Sequence, residues 1–305
     1  LLRSLLPEHL LLAGALLVIT IEIVSRQRRD GSTVALATLV AAGIAALWLH
    51  VADYAAAPFA GQLSVDPAAF LGKAVLIGLA IPVVLLSREE FRGPRVQALL
   101  LFSLYGACIA LSADSFLTLF VGLELLSLPV YTMVMMRMLR PESAEAALKY
   151  LVLGGTASAM LLMGASLLLG ATGSLSVAAF PAGLETRTPL ATAGVLLVIA
   201  AFFLKGAVVP FHGWAPDAYQ GATLPVTAYM AAGVKAGVLL AAVRLFDGAT
   251  IPALLVAPIA ALPLASMAWG NLAAIRQTST RRMIGYSSIA HAGYLYFAFL
   301  GAPEG

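Results

Sequence analysis

The stretch FFLKGAVVPFHGWAPDAYQG, residues 202–221, decides how this chain is read. Lys205 stands in a long apolar run, and Pro210, His212, Pro216 and Asp217 come soon after it. Pro210 has no N–H, and its ring clashes with the carbonyl four residues back, at Gly206. A helix entering this stretch is therefore expected to end just after Lys205. Pro216 suits the first turn of a second, short helix, and Pro225 the start of the next span. The pattern reads as helix, break, short helix, with a charge at the break. Broken helices are tolerated at membrane depth where they line a cavity, and they mark transport sites. The carbonyls freed at the break are expected to form the negative end of a half-helix dipole beside Lys205.

The rest of the 305 residues supports a membrane setting. Hydrophobic residues make up 61% and charged residues only 11%, against about 25% charged in soluble domains. Crossing the hydrocarbon core takes roughly 20 apolar residues in a helix. Ten such spans are predicted, over 9–24, 33–52, 68–86, 96–112, 115–137, 145–170, 189–209, 225–246, 251–275 and 283–301. Runs of this length exclude a membrane β-barrel, whose strands need only about 10 alternating residues. The fold class is thus an all-α polytopic membrane protein of about ten transmembrane helices.

Charge sorting gives an orientation. Arg26, Arg28 and Arg29, then Arg88, Arg92 and Arg95, then Arg137 and Arg140, and finally Arg276, Arg281 and Arg282 occupy alternate loops. The intervening loops hold little beyond Arg187 and Arg244. The positive-inside rule places the Arg-rich loops in the cytoplasm and the N-terminus outside. The net charge of +3 is explained by this sorting and calls for no nucleic acid. Glu22 and Arg26, one helical turn apart, suit an interfacial pair. The first residue is Leu, and the chain stops at LGAPEG after the tenth span. It is expected to be a fragment at both ends, with the first apolar run a retained span.

All four lysines, Lys73, Lys149, Lys205 and Lys235, lie in or at the rim of apolar spans. Lys73 is near a span end, where it is expected to snorkel. Lys235 lies ~15 Å past Pro225, Glu124 about as far past Ser115, and His291 ~14 Å past Arg282. Lys149 is shallower. A charge at the bilayer centre costs at least about 2.5–3.5 kcal/mol, so such residues face the bundle interior, a partner or water. A desolvated lysine can lose its proton and a nearby carboxylate restores it, whereas arginine stays charged. Glu124, Lys149, Lys205, Lys235, His212 and His291 are accordingly the candidate proton-relay residues. A structural ion pair is the plainer alternative for any one of them. For His212 the alternative is to cap carbonyls, and for Gly233 and Gly237 around Lys235 it is close helix packing.

The lone Cys108 is expected to be a small buried residue. No Walker loop, strand-borne GxGxxG or CxxC is present, so no cofactor site is expected on this chain. An enzyme acting within the membrane finds no support either. There is no HExxH, no paired-Asp motif and no obvious Ser–Lys or Ser–His pair. A passive scaffold is disfavoured by the buried charges.

Five stretches carry a resemblance: FVGLELLSLPVYTMV (120–134), EAALKYLVLGG (145–155), FFLKGAVVPFHGWAPDAYQGATLPV (202–226), GVKAGVLLAAVRLF (233–246) and RRMIGYSSIAHAGY (281–294). Together they resemble the antiporter-like subunits of bacterial respiratory complex I, the NADH:quinone oxidoreductase. PDAYQGA and GYSSIAHAGY look more like subunit N than like subunits L and M. Mrp-type cation/proton antiporters share the wider fold. The resemblance implies two inverted five-helix repeats, each with a broken helix and a key lysine. The chain would then comprise a three-helix segment over 1–95, a first repeat over 96–246 and the start of a second over 251–305. That second repeat is truncated, without its broken helix and lysine. By motif, Glu124 matches the glutamate of the fifth helix of the family, Lys205 its partner in the broken seventh, Lys235 the lysine of the eighth and Lys149 that of the sixth. The implied role is a proton half-channel in the bacterial cytoplasmic (inner) membrane, with the Glu–Lys pair as switch and the other lysines as relay. It would be driven by quinone reduction elsewhere in a complex I. NADH, FMN, iron–sulfur clusters and quinone would sit on partner subunits, with other complex I membrane subunits and the lipid bilayer around this chain. An Mrp-type Na⁺/H⁺ antiporter subunit is the alternative.

Overall fold

The computed structural model describes residues 2–25, 31–91, 93–136, 140–186 and 188–299. Over the described residues, the ten expected spans fall on helical segments. They are α1 (Leu6–Ser25), α2 (Ser32–Val51), α3 (Pro67–Glu90), α4 (Arg95–Leu111), α5 (Phe116–Met135) and α6 (Pro141–Thr172). After a short α7 (Ala179–Thr186) come α8 (Pro189–Gly206), the eight-residue α9 (Trp214–Gly221) and α10 (Leu224–Tyr229). A π-helical turn, Met230–Val234, joins α10 to α11 (Lys235–Phe246), and α12 (Ala253–Ile275) and α13 (Thr280–Ala298) follow. Among the described residues, eight helices are long and apolar enough to cross a membrane, counting Leu224–Phe246 as one. Large apolar side chains such as Leu17, Ile44, Leu86, Val152, Met163 and Leu272 stand exposed along these helices. In water such a surface would associate or aggregate; against acyl chains it is at rest.

Helix starts reflect local chemistry. Asp66 caps α3 by accepting from the Ala69 N–H at 2.7 Å, with Pro67 in the first turn. Ser115 caps α5 through the Thr118 N–H, and Thr188 caps α8 through the Ala191 N–H, again with a proline next in the chain. α6 stops at Gly173, which takes φ +73°, a conformation glycine adopts without steric cost.

The helices form two compact units. The first comprises Leu1–Arg137 with Ala222–Leu240, and the second Met138–Gly221 with Ala241–Gly305. Packing thus divides the chain differently from sequence order, and the 96–246 block contributes to both units. In the first unit α4 and α5 approach closely. A Cβ at Gly106 would collide with the backbone of Leu125 and Leu126, and one at Gly122 with Ala110. Small residues permit this contact, which membrane helices use in place of hydrophobic exclusion.

Two differences from the expected fold stand out, and one expected pair lies outside the described residues. The chain is not helical throughout, since Ala56–Phe59 and Leu63–Val65 pair as an antiparallel hairpin between α2 and α3. Its Leu63 and Val65 join a core of Leu5, Leu49, Phe70 and Ile109. Glu22 pairs with Arg95 at 2.5 Å, while Arg26 lies outside the described residues, as do Arg28, Arg29, Arg92, Arg137 and Arg187. Lys73 does not snorkel. It is 0% exposed and lies 2.6 Å from Glu8 of α1. Snorkelling needs an open path to the interface, and here the path is closed while an opposite charge waits inside.

Candidate functional site

In the second unit the break at Lys205 is built as a rigid corner. α8 ends at Gly206, and Ala207 takes the left-handed conformation at φ 60°. A non-glycine residue there is costly and persists only where its surroundings hold it. They do. The Phe202 carbonyl accepts from the Tyr296 hydroxyl at 3.0 Å, and the Leu204 carbonyl from Trp214 Nε1 at 3.0 Å. The Phe203 carbonyl accepts from the Val208 N–H at 2.8 Å, and the Val209 N–H donates to Ser266 Oγ at 2.6 Å. Gly206 is required because a Cβ would run into the Tyr296 ring. Protein donors thus reach the carbonyls of Phe202, Phe203 and Leu204 at the end of α8. Lys205 itself is buried, with 8% exposed.

The short helix α9 is clamped against α6 and α13. Tyr150 stacks on Trp214 at 4.1 Å between ring centroids. Ser143 Oγ donates to the Gly221 carbonyl at 2.7 Å, and Tyr219 shares a hydrogen bond with Ser288 at 3.0 Å. This clamp sets Asp217 between two cations. Lys149 Nζ lies 2.8 Å from its Oδ2 and Arg282 2.6 Å from its Oδ1. Lys149 also reaches Glu145 at 2.7 Å, and Arg282 reaches Gln220 at 3.1 Å. Burial works against ionisation of Asp217, yet Lys149 and Arg282 override it and hold its carboxyl below its ordinary value. Lys149 is exposed, 44% at the side chain, so it belongs to an open charge cluster.

His212 lies in the break. Trp269 Nε1 donates to its Nε2 at 3.0 Å. That bond uses the Nε2 lone pair, so in this arrangement the ring is neutral with its proton on Nδ1. His291 is exposed on α13 and makes a long contact, 3.5 Å, with Ser287.

The first unit holds Glu124 and Lys235. Glu124 is the ninth residue of α5, ~13 Å along the helix from Ser115, and is half-buried. Lys235 opens α11 directly after the π-helical turn. Such turns insert one residue, rotate the helix beyond them, and recur at functional sites. The turn is held from outside by a hydrogen-bond chain. Tyr229 donates to Ser103 Oγ at 2.8 Å, and Ser103 donates to the Leu126 carbonyl at 2.7 Å. Gly233 leaves room for the Tyr229 ring, and Gly237 lets α11 close on Leu126 and Ala107. Packing thus accounts for both glycines. The π-helical turn has no signature in the residues themselves.

Sequence reasoning missed Glu8, because the first span was started at 9 instead of 6. Starting the helix at Leu6 would have put a carboxylate inside α1, at the end where α3 carries Lys73. Cys108 is buried, as expected.

Many membrane helices, one broken beside a buried lysine, and ionisable residues set within the bundle define an antiporter-like, multi-pass membrane protein. The family model described as NADH:quinone oxidoreductase/Mrp antiporter, TM, matches residues 113–303, and the chain belongs to that family. It is 38% identical over 301 residues to NADH-quinone oxidoreductase subunit N of Pelobacter propionicus, across 98% of this chain and 65% of that protein. It is 35% identical over 316 residues to NADH-quinone oxidoreductase subunit N of Laribacter hongkongensis, across 98% of this chain and 64% of that protein. Its fold matches a chain of respiratory complex I from Thermus thermophilus with a TM-score of 0.82 and 32% identity, across 96% of this chain and 64% of that one. The chain thus spans just under two thirds of the length of these relatives.

Proposed function

We propose that this chain is the proton-translocating part of a membrane subunit of an NADH:quinone oxidoreductase. The observation that carries the reading is Lys205, buried at the break of α8 in a chain of this family. A lysine there can alternate between ammonium and amine as its surroundings change, and so pass a proton on. In this reading Lys205, Lys235 and Glu124 are proton-carrying groups of the chain. Lys149, at the open cluster, exchanges protons with water. His212 holds its proton on Nδ1, ready to exchange at the break, and His291 serves as a further acceptor on α13. Residues 96–246 act as the first antiporter-like repeat and 251–305 as the start of the second. Quinone reduction on partner subunits, which carry the NADH, FMN and iron–sulfur chemistry, drives the cycle. The neighbours are other complex I membrane subunits and lipid. The membrane is the bacterial cytoplasmic one, with the N-terminus outside. Among family members PDAYQGA favours this reading over a Na⁺/H⁺ antiporter subunit.

The test is Lys205→Met and Lys235→Met in the complete protein, with proton translocation and quinone reduction measured together in vesicles. Assembled complexes that reduce quinone without translocating protons support the proposal; normal translocation in both variants overturns it. Orientation is checked by cysteines at exposed positions, since Cys108 is buried. Ala60→Cys should react with an impermeant reagent from outside, and Glu90→Cys should not.

A further inference from the structure

The π-helical turn Met230–Val234 lies directly before Lys235, the first residue of α11. Such a turn takes up one residue more than an α turn. In a helix one residue corresponds to ~100° of rotation and ~1.5 Å of rise. The direction in which Lys235 leaves the backbone therefore depends on whether the turn is kept.

The contacts that keep it come from other helices of the first unit. Tyr229, the residue before the turn, is 0% exposed, and its ring lies over Gly233, where a Cβ would come within 2.5 Å of Cε2. Its hydroxyl crosses to α4 and donates to Ser103 Oγ at 2.8 Å. Ser103, also 0% exposed, donates to the Leu126 carbonyl of α5 at 2.7 Å. The far end of this chain is closely packed. Just beyond Ser103, Gly106 brings α4 against the backbone of Leu125 and Leu126, where a Cβ would come within 2.3 Å. After the turn, Gly237 lies on the same two helices, with its Cβ position 3.5 Å from the Cβ of Ala107 and 3.2 Å from Leu126 Cδ2. The turn is thus tied to the seam of α4 and α5 on both sides. A buried tyrosine hydroxyl finds a partner. Here the partner is on another helix, so satisfying the hydroxyl also fixes the rotation of the chain that carries it.

We propose that Tyr229 and Ser103 are positioning residues for Lys235. Their hydrogen bond holds the π-helical turn against relaxation to a plain α-helix, and so fixes the rotation at which α11 presents Lys235. The effect on translocation rests on Lys235 carrying protons, as read above; the register of α11 stands on the contacts alone.

The register is measured in the complete complex carrying Ala107→Cys, Gly237→Cys and Cys108→Ala. A Cβ separation of 3.5 Å suits a disulfide, so the pair should close under the membrane-permeant oxidant copper phenanthroline. Adding Tyr229→Phe, which keeps the ring and removes the hydroxyl, should lower the disulfide yield, and so should Ser103→Ala. Without the introduced cysteines, the same two variants should lower the protons translocated per quinone reduced. At matched complex content the fall is up to about 100-fold, the cost of misplacing a reacting group by ~1 Å. A merely structural role would lower the amount of assembled complex and leave both that ratio and the disulfide yield unchanged. A ratio or a yield that stays at the parent value in both variants overturns the proposal, as does a parent pair that never closes. Should Ser103→Ala fail to assemble, Tyr229→Phe decides. If Lys235→Met translocates normally while the yield falls in Tyr229→Phe, the proton-carrying reading fails and the positioning of α11 stands.

Discussion

Two groups of ion pairs in this molecule solve opposite problems. In the first unit Glu8 and Lys73 meet in a dry interior, with the ring of Phe70 against the ammonium. In the second unit Asp217 sits among Lys149, Arg282, Glu145 and Gln220, and its charge is shared by several donors near water. The closed pair has the stronger Coulomb attraction because its dielectric is low, and it also suffers the larger desolvation. The open cluster gains little from each contact, since water and salt screen it. One is therefore brittle, the other tolerant.

The largest expected effect comes from breaking the closed pair from one side. Glu8→Gln leaves an unpaired buried lysine, and such a loss costs about 3–5 kcal/mol. The yield of assembled complex after solubilisation, with its thermal midpoint, should fall steeply. Glu8→Leu combined with Lys73→Met removes both charges and should regain most of that stability. If the single and double variants suffer equally, the pair does not behave as a unit.

Asp217→Asn is the corresponding cut in the open cluster. Arg282 and Lys149 keep access to water, so the expected loss is about 0.5–1 kcal/mol after solvent screening. A loss as large as that of Glu8→Gln would erase the contrast between the two regions. The pH dependence has a definite sign. The Asp217 carboxyl titrates below its ordinary value in the folded protein, so its contribution is fully present at neutral pH. It disappears as pH falls through that lowered value. In Asp217→Asn this acid-side decline of the thermal midpoint should be smaller.

The smallest effect belongs to Glu145, 65% exposed and one turn from Lys149. Glu145→Gln should leave both stability and translocation within assay scatter. A measurable defect would mean that the open cluster needs every one of its charges.

Legibility from residues alone divides along the same line, between local and remote chemistry. The helices under the ten expected spans and the break were legible, because apolar length and proline chemistry act locally, though among the described residues eight are long and apolar enough to cross a membrane. Pro210 ends α8 four residues upstream, at Gly206, whatever surrounds it. The hairpin was not legible, since strands of four and three residues carry too little alternation to stand out. Glu8–Lys73 and Asp217–Arg282 were not either, because each joins helices remote in sequence, and only packing decides which charge meets which. Lys73 shows the cost of reading depth alone. Near a span end, it looked free to reach the interface, yet its fate was set by a carboxylate on another helix. The carbonyls of Phe202, Phe203 and Leu204 teach the same point, since Tyr296, Val208 and Trp214 had already claimed them.

The central claim is that a buried lysine at the break must give up its proton, beyond merely being positive. Lys205→Arg in the complete complex tests it most directly, because arginine keeps the charge and cannot release the proton. Proton translocation and quinone reduction should be measured together in vesicles at matched complex content. The account requires quinone reduction to continue with translocation lost. Wild-type translocation in Lys205→Arg would show that only the charge matters, and would contradict it.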